Sequence, residues 1–349
     1  MSDQNHVYVG TAGHSVWFSE DEGEQFVHPN SHSGMYLEAR VWSLSSHSLR
    51  SDVIFAGTDM GLYCWSERSA RWTHIVSPMS DVWALAQHPK NANILLAGTR
   101  PGDFYRSDDG GHNWNYVPVV GMTHFSEVNM GPTRVTQILF DPRNSNDVWA
   151  SVEIGGIYHS QDAGKTWQLR DNGLVSKDVH GVAVATKKGG SAVLLATTNK
   201  GLHKSLDEGH TWSLVELRSS WQYTRAVLVH PNDSSTIYLT NGNGPPGNDG
   251  KFFKSTDYGE TWRVIELPGE LNSTPWCIAM HPSNSNLLFV STNLGQLFKS
   301  QDAGESFIRL GHEFGEIRSL LYKPMPKGVR AQEHSITRAQ VKDIRQKAF

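Results

Sequence analysis

The sequence predicts an all-β protein, a seven-bladed β-propeller of four-stranded antiparallel blades, on three observations. A short motif, Ser-x-Asp-x-Gly-x-(Thr/Ser/Asn/Gln)-(Trp/Phe), begins at Ser19, Ser107, Ser160, Ser205, Ser255 and Ser300, and an eroded seventh copy, SERSARW, occupies residues 66–72. The seven starts lie 41 to 53 residues apart, the period of a four-stranded blade and too long for most helical solenoids. A strand-like run ending in His-Pro or its equivalent recurs seven times in step with the motif.

That run is read as the innermost strand of each blade: RVWSLSSHS from Arg40, DVWALAQHP from Asp81, RVTQILFDP from Arg134, DVHGVAVAT from Asp178, YTRAVLVHP from Tyr223, TPWCIAMHP from Thr274 and EIRSLLYKP from Glu316. The proline and its Asn/Ser-rich followers, as in PKNAN and PSNSN, make the turn into a second strand such as ILLAGT or LLFVST. A third strand such as GLYCWS or QLFKS follows, and the motif joins it to the fourth. Asp closes such a hairpin by bonding nearby backbone N–H groups and Gly by accepting positive φ, while the Trp or Phe anchors the blade. The ends are offset: residues 6–28 supply strands two to four with no innermost strand before them, and Glu316 opens an innermost strand with nothing after it. Pairing the two completes the seventh blade and removes the exposed sheet edges. The expected domains are a propeller over residues 1–324 and a basic tail over 325–349, where Ser335 is placed to cap a short helix carrying Ile336, Val341 and Ile344.

The motif is the Asp-box, or bacterial neuraminidase repeat, and from about residue 6 to residue 324 the chain resembles that superfamily. The resemblance implies the propeller fold and a structural role for the boxes, as in sialidases, sortilin-type receptors, xyloglucanases and photosystem assembly factors. It therefore points away from the box aspartates as catalysts. The sialidase likeness implies an Arg cluster for a carboxylate, Tyr223 with a Glu as nucleophile pair, and an Asp as acid; sialidases, however, have six blades and an Arg-Ile-Pro motif that this sequence lacks.

Composition excludes some classes. No apolar run approaches the length of a membrane span, and a formal charge of -4 argues against nonspecific nucleic-acid binding. The two cysteines, Cys64 and Cys277, fall on different blades and read as buried free thiols, and no Cys/His spacing suggests zinc. The opening MSDQNHVYVG has neither a basic nor an apolar segment, so the expected location is cytoplasmic.

Aligning the innermost strands on their Pro position gives two columns near the channel mouth. The outer is Arg40, Asp81, Arg134, Asp178, Tyr223, Thr274, Glu316, and the next is Trp42, Trp83, Thr136, His180, Arg225, Trp276, Arg318. Two residues apart on a strand, they share a side. Further down stand Leu44, Leu85, Ile138, Val182, Val227, Ile278 and Leu320, ordinary core. Trp276, Arg318, Trp42 and Trp83 come from consecutive blades and are expected to form an aromatic and cationic wall suited to a sugar or planar ligand with a carboxylate or phosphate. Opposite are expected Asp178, His180, Arg134 and Arg225, joined by Glu153 from the SVEIGG turn. Glu153, Asp178 and His180 are the catalytic candidates, because clustered carboxylates and a His beside Arg can split their pKa values. The substrate-binding candidates are Arg40, Trp42, Asp81, Trp83, Arg134, Tyr223, Arg225, Trp276, Glu316 and Arg318. His14 and Asp59 occupy equivalent turns on other blades, and the connection holding Met122, His124, Phe125 and Met130 is long enough for a lid. The Gly-x-Gly-x-x-Gly at Gly242, Gly244 and Gly247 contains two prolines and precedes a strand, so it reads as a rim loop rather than a nucleotide site.

Three functions remain open at this level. One is a glycosidase-like hydrolase or lyase acting on a small anionic or carbohydrate-like ligand without a cofactor. A second is a protein-binding or assembly platform, as the assembly-factor likeness implies. The third is a divalent metal in the channel held by Asp81, Asp178, Glu153 and His180, which the neighbouring arginines would oppose. A structural reading competes with all three: the outer column alternates in sign, as a salt-bridge girdle would.

Overall fold

The computed structural model describes residues 5–28, 33–126 and 131–324. It contains seven antiparallel sheets, six of them four-stranded. The innermost strands are Val41–His47, Val82–Gln87, Arg134–Phe140, Val179–Thr186, Tyr223–Val229, Pro275–His281 and Ile317–Pro324, and they number blades 1 to 7. Each packs against the next, and blade 7 returns to blade 1, so the ring is closed. Blade 7 is assembled from both parts of the chain as expected: Ile317–Pro324 pairs with Asn5–Thr11, which pairs with Val16–Ser19. Its fourth strand is reduced to the single bridge of Phe18 with Val27. Among the described residues no helix is long and apolar enough to cross a membrane. The tail expectations, with Met130 of the proposed lid, lie outside the described residues.

The core is divided into seven apolar clusters, each spanning two neighbouring blades. Between blades 3 and 4, for example, Trp149, Ile157, Val182, Leu194 and Trp212 bury together. The blades therefore adhere face to face by apolar burial, and the ring needs no central core.

The six complete Asp-boxes share one hydrogen-bond pattern. In the blade 5 box, the Ser255 hydroxyl donates to Asp257 Oδ1 (2.8 Å) and accepts from Gly259 N (2.9 Å), while Asp257 accepts from Thr261 N (2.9 Å) and the Thr261 hydroxyl (2.6 Å). Tyr258 and Gly259 both have positive φ, 61° and 77°, which is why the motif fixes a Gly there. These bonds favour the ionised carboxylate. At Asp207, the hydroxyl and backbone N–H of Thr211 hold the pKa down to about 2.

On this same face a cation from each blade reaches the next. Arg50 donates to Gly110 O, Arg106 to Ala163 O, Arg143 pairs with Glu208, Lys204 with Glu260, Lys254 with Glu305, Lys299 with Glu24 and Lys323 with Glu67. The last strap differs. Glu260 and Glu305 are about half exposed, whereas Glu67 is 8% and Lys323 3% exposed, and Tyr8 donates to the same carboxylate at 2.8 Å. Glu67 belongs to the eroded box. At the seam between blades 7 and 1 the Asp-box is eroded and the strap is a buried ion pair.

Candidate functional site

Each innermost strand carries a β-bulge near its upper end. The pairing register skips one residue between Val41 and Ser43, Val82 and Ala84, Val135 and Gln137, Val179 and Gly181, and Pro275 and Cys277. It shifts likewise between Thr224 and Val227, and in blade 7 opposite Gly10 and Thr11. The bulged positions are Trp42, Trp83, Thr136, His180, Arg225, Trp276 and Arg318, with Ala226 beside Arg225. This is the second column of the sequence alignment, one residue from every blade. A bulge frees a residue from the ladder and re-aims its side chain, and all seven line one cavity of about 300 Å³ in the central channel. The second strand stays small opposite the bulge. A Cβ on Gly98 would stand 2.4 Å from Val135, and one on Gly57 would stand 2.5 Å from Val82 O.

The side chains form a continuous belt. The Arg134 guanidinium lies 4.6 Å above Trp83, which stacks on Trp42 at 4.2 Å and 15°. Arg318 stands 5.9 Å from Trp42 and 5.3 Å from Trp276, and Arg225 covers Trp276 at 4.2 Å. Tyr223 lies near-parallel to Trp276 at 6.2 Å and tilts against His180 at 4.7 Å. His180 Nε2 is 3.4 Å from Asp178 Oδ1, while its Nδ1 is 2.6 Å from Thr224 O. Asp178 bridges Glu153 through the backbone, and Glu153 returns to Arg134 as a two-pronged ion pair, Nε to Oε2 at 2.6 Å.

The expected wall of Trp276, Arg318, Trp42 and Trp83 is thus present, but the expectation that Arg134 and Arg225 face it from across the channel is corrected. They come from the blades that flank the wall, and their guanidiniums lie on the outer indoles and extend it. Glu153, Asp178 and His180 are neighbours, all at most 8% exposed, and of the three His180 lines the cavity while Glu153 and Asp178 do not. Of the remaining candidates, Asp81 accepts from Trp42 Nε1 at 2.7 Å and Glu316 pairs with Arg318. Arg40 is exposed at the rim, its backbone N–H donating to Asp59, and does not line the cavity. In the proposed lid, His124 pairs with Asp103 at 2.9 Å rather than turning to the belt. Sequence reasoning missed several lining residues, among them Ser43, Gln137, Cys277 and Ser319; they adjoin the bulge and fall in neither column.

Electrostatics divides the belt. Burial pushes the Asp81 carboxyl up, against the indole hydrogen bonds that favour its ionised form. At Glu153 burial works in the same direction, but the hydrogen bonds and charge of Arg134, with Arg225 and His180 beyond, bring the carboxyl below its ordinary value. Burial lowers Arg318, and the charges of Arg225 and Arg134 add to that despite Glu316. Burial also lifts the Tyr223 phenol to about 12 and the Cys277 thiol to about 11. Buried polar atoms of the belt that lack a hydrogen-bond partner include Trp276 Nε1, Arg318 Nε and Asp178 Oδ1. Among the described residues the Arg225 guanidinium has neither ion pair nor hydrogen bond; it lies over Trp276, and its charge also acts on Glu153. Among the described residues no group of three or more His, Cys, Asp or Glu is placed to hold a metal ion; of the four suggested ligands, Asp81 is engaged by Trp42 and Glu153 by Arg134.

A BNR/Asp-box repeat model matches residues 158–169, which span the box from Ser160. A xyloglucanase of Hypocrea jecorina (strain QM6a) is 26% identical over 168 residues, covering 46% of this chain and 18% of the relative. A GH74 enzyme of Niastella koreensis superposes with a TM-score of 0.62 at 24% identity, over 77% of this chain and 45% of that one. The chain thus spans less than half the length of either. A YCF48 structure bound to D1 peptide superposes with a TM-score of 0.52 at 15% identity, over 74% of this chain and 78% of that one. The chain is thus a closed seven-bladed β-propeller, similar in its recurring motif to BNR/Asp-box repeat proteins.

Proposed function

We propose that the channel mouth binds a small anionic or sugar-like substrate and processes it as a glycosidase-like hydrolase or lyase. The observation that carries this reading is the convergence of seven bulged residues on one cavity that contains a guanidinium with no ion-pair partner among the described residues. A bulge costs ladder hydrogen bonds, and a half-buried unpaired cation costs desolvation, so neither serves the ring's stability. In this reading Arg225 and Arg318 hold the anion, and Trp42, Trp83 and Trp276 supply the stacking faces. Asp178 and His180 handle the proton, and Glu153 orients Arg134 beside them. The sequence similarity to a xyloglucanase supports a carbohydrate-directed activity.

Titration with glucuronate, paired with thermal unfolding, tests the binding half. Arg225→Ala and Arg318→Ala are expected to weaken binding while leaving the melting temperature close to wild type; variants that unfold readily yet bind normally would show the belt to be a girdle.

A second reading, a protein-binding platform, is favoured by the likeness to YCF48 bound to a peptide. It also draws on the exposed Tyr36, Met60, Val76, Val120, Phe125 and Val175, which lie on the turns and connections of the mouth face. Retention of a peptide that blocks glucuronate binding would favour it.

A further inference from the structure

The channel is not uniform along its length. Below the belt, the cavity shares Gln137, Val227 and Leu228 with a second one of about 310 Å³, whose walls are Leu139, Phe140, Val182, Val184, Leu228 and Val229 with the His230-Pro231 turn. The two cavities therefore share a wall: a charged and aromatic upper chamber adjoins an apolar lower one. Leu44, Leu85, Ile278 and Leu320 are only partly buried where they line the upper chamber, so aliphatic surface faces the channel directly beneath the belt. A sugar ring, with hydroxyls on every edge, would find few partners there, since a polar group moved into an apolar site without a hydrogen bond is penalised. The cations above set the other end of the ligand. Two arginines line the cavity: Arg318 is matched by Glu316, as the flanking Arg134 is by Glu153, whereas Arg225 has no ion-pair partner among the described residues. One unmatched guanidinium calls for one negative charge, and its planar fork suits a carboxylate.

Resting on the reading of the mouth as an anion site, we propose that the ligand is an amphiphilic monocarboxylate. Its carboxylate pairs with Arg225 over Trp276, and its hydrocarbon part descends past Val227 and Leu228 into the lower chamber. The two chambers together, about 300 and 310 Å³, fall in the range of small-ligand pockets that are mostly apolar with a few placed polar groups.

The test is calorimetric titration of the full chain with butyrate, hexanoate, octanoate and decanoate, with glucuronate as a polar anion of one charge. Burial of each methylene strengthens binding by up to about fourfold, so octanoate is expected to bind on the order of a hundredfold more tightly than butyrate. Arg225→Gln is expected to weaken every carboxylate by about tenfold or more. Val229→Thr, of equal shape but bearing a hydroxyl in the lower wall, is expected to weaken decanoate and leave butyrate unchanged. Thermal unfolding of both variants confirms that they are folded. A flat series, or glucuronate binding as tightly as octanoate, overturns the amphiphile while the anion site stands. If wild type binds none of these anions, the anion site itself fails.

Discussion

The two faces of the propeller use charge in opposite ways. On the Asp-box face six of the seven blades repeat a Ser–Asp–Gly turn closed on itself, and a cation from each blade crosses to the next. At the mouth, equivalent positions hold Trp, Trp, Thr, His, Arg, Trp and Arg in turn, with unpartnered polar atoms at Trp276, Arg318 and Asp178. A sevenfold ring needs the same bond at every joint, so sameness around it reflects stability. Where the blades share a backbone device, the bulge, yet differ in what it presents, symmetry has been given up for recognition.

The seam between blades 7 and 1 sharpens that contrast by breaking the repeat on the structural face. Lys323→Met would leave Glu67 buried without its cation, and removing one partner of a buried pair typically costs about 3–5 kcal/mol. This is the largest stability loss expected, read as a lower urea midpoint. Lys254→Met breaks a strap whose Glu305 is half exposed, and is expected to cost about 1 kcal/mol or less. Equal costs would mean that the seam is not special.

Within the boxes, Ser255→Ala removes the acceptor for the Gly259 N–H in a buried turn and is expected to cost about 1–3 kcal/mol. Acid should act on the structural face in two stages. Burial depresses His6 from 6.5 to about 4, so its contribution is complete above about pH 6.5 and is lost as pH falls through about 4. The box carboxylates, depressed from 3.8 to about 2 at Asp109, Asp207 and Asp302, contribute above their unfolded value and lose that contribution as pH falls toward 2. Unfolding midpoints measured from pH 7 to pH 2 should fall in both windows, and Asp207→Asn should blunt the second.

The structural face was the more legible in sequence, because a local turn depends on residues a few positions apart: Ser205, Asp207, Gly209 and Thr211 are read off in one glance. Closure was legible too, since the start of the repeats lacked an innermost strand and their end supplied one with nothing after it. The second column was found by alignment, although its cause, the bulge, leaves no mark in a two-residue alternation. Contacts that depend on the angle between blades were not legible: the placing of Arg134 on Trp83 and of Arg225 on Trp276, and the capture of Glu153 by Arg134. For the same reason nothing in SERSARW shows that its Glu67 receives Lys323 from the far end of the propeller.

At the mouth the stability effects should be small and the functional ones large. In a turnover assay His180→Gln is expected to lower kcat by about 10² to 10⁴, the usual worth of general acid/base help. Stability should shift less at His180 than at Glu153, which leaves Arg134 unpaired when neutralised.

The most direct measurement is a paired one on Arg225→Gln: its unfolding midpoint, and its titration with octanoate and glucuronate beside wild type. If the mouth is a site of recognition, the midpoint stays within about 0.5 kcal/mol of wild type, the range of substitutions away from structural features, and anion binding drops by about tenfold or more. A variant that loses several kcal/mol of stability while binding anions as wild type does would show that the belt holds the ring together and recognises nothing.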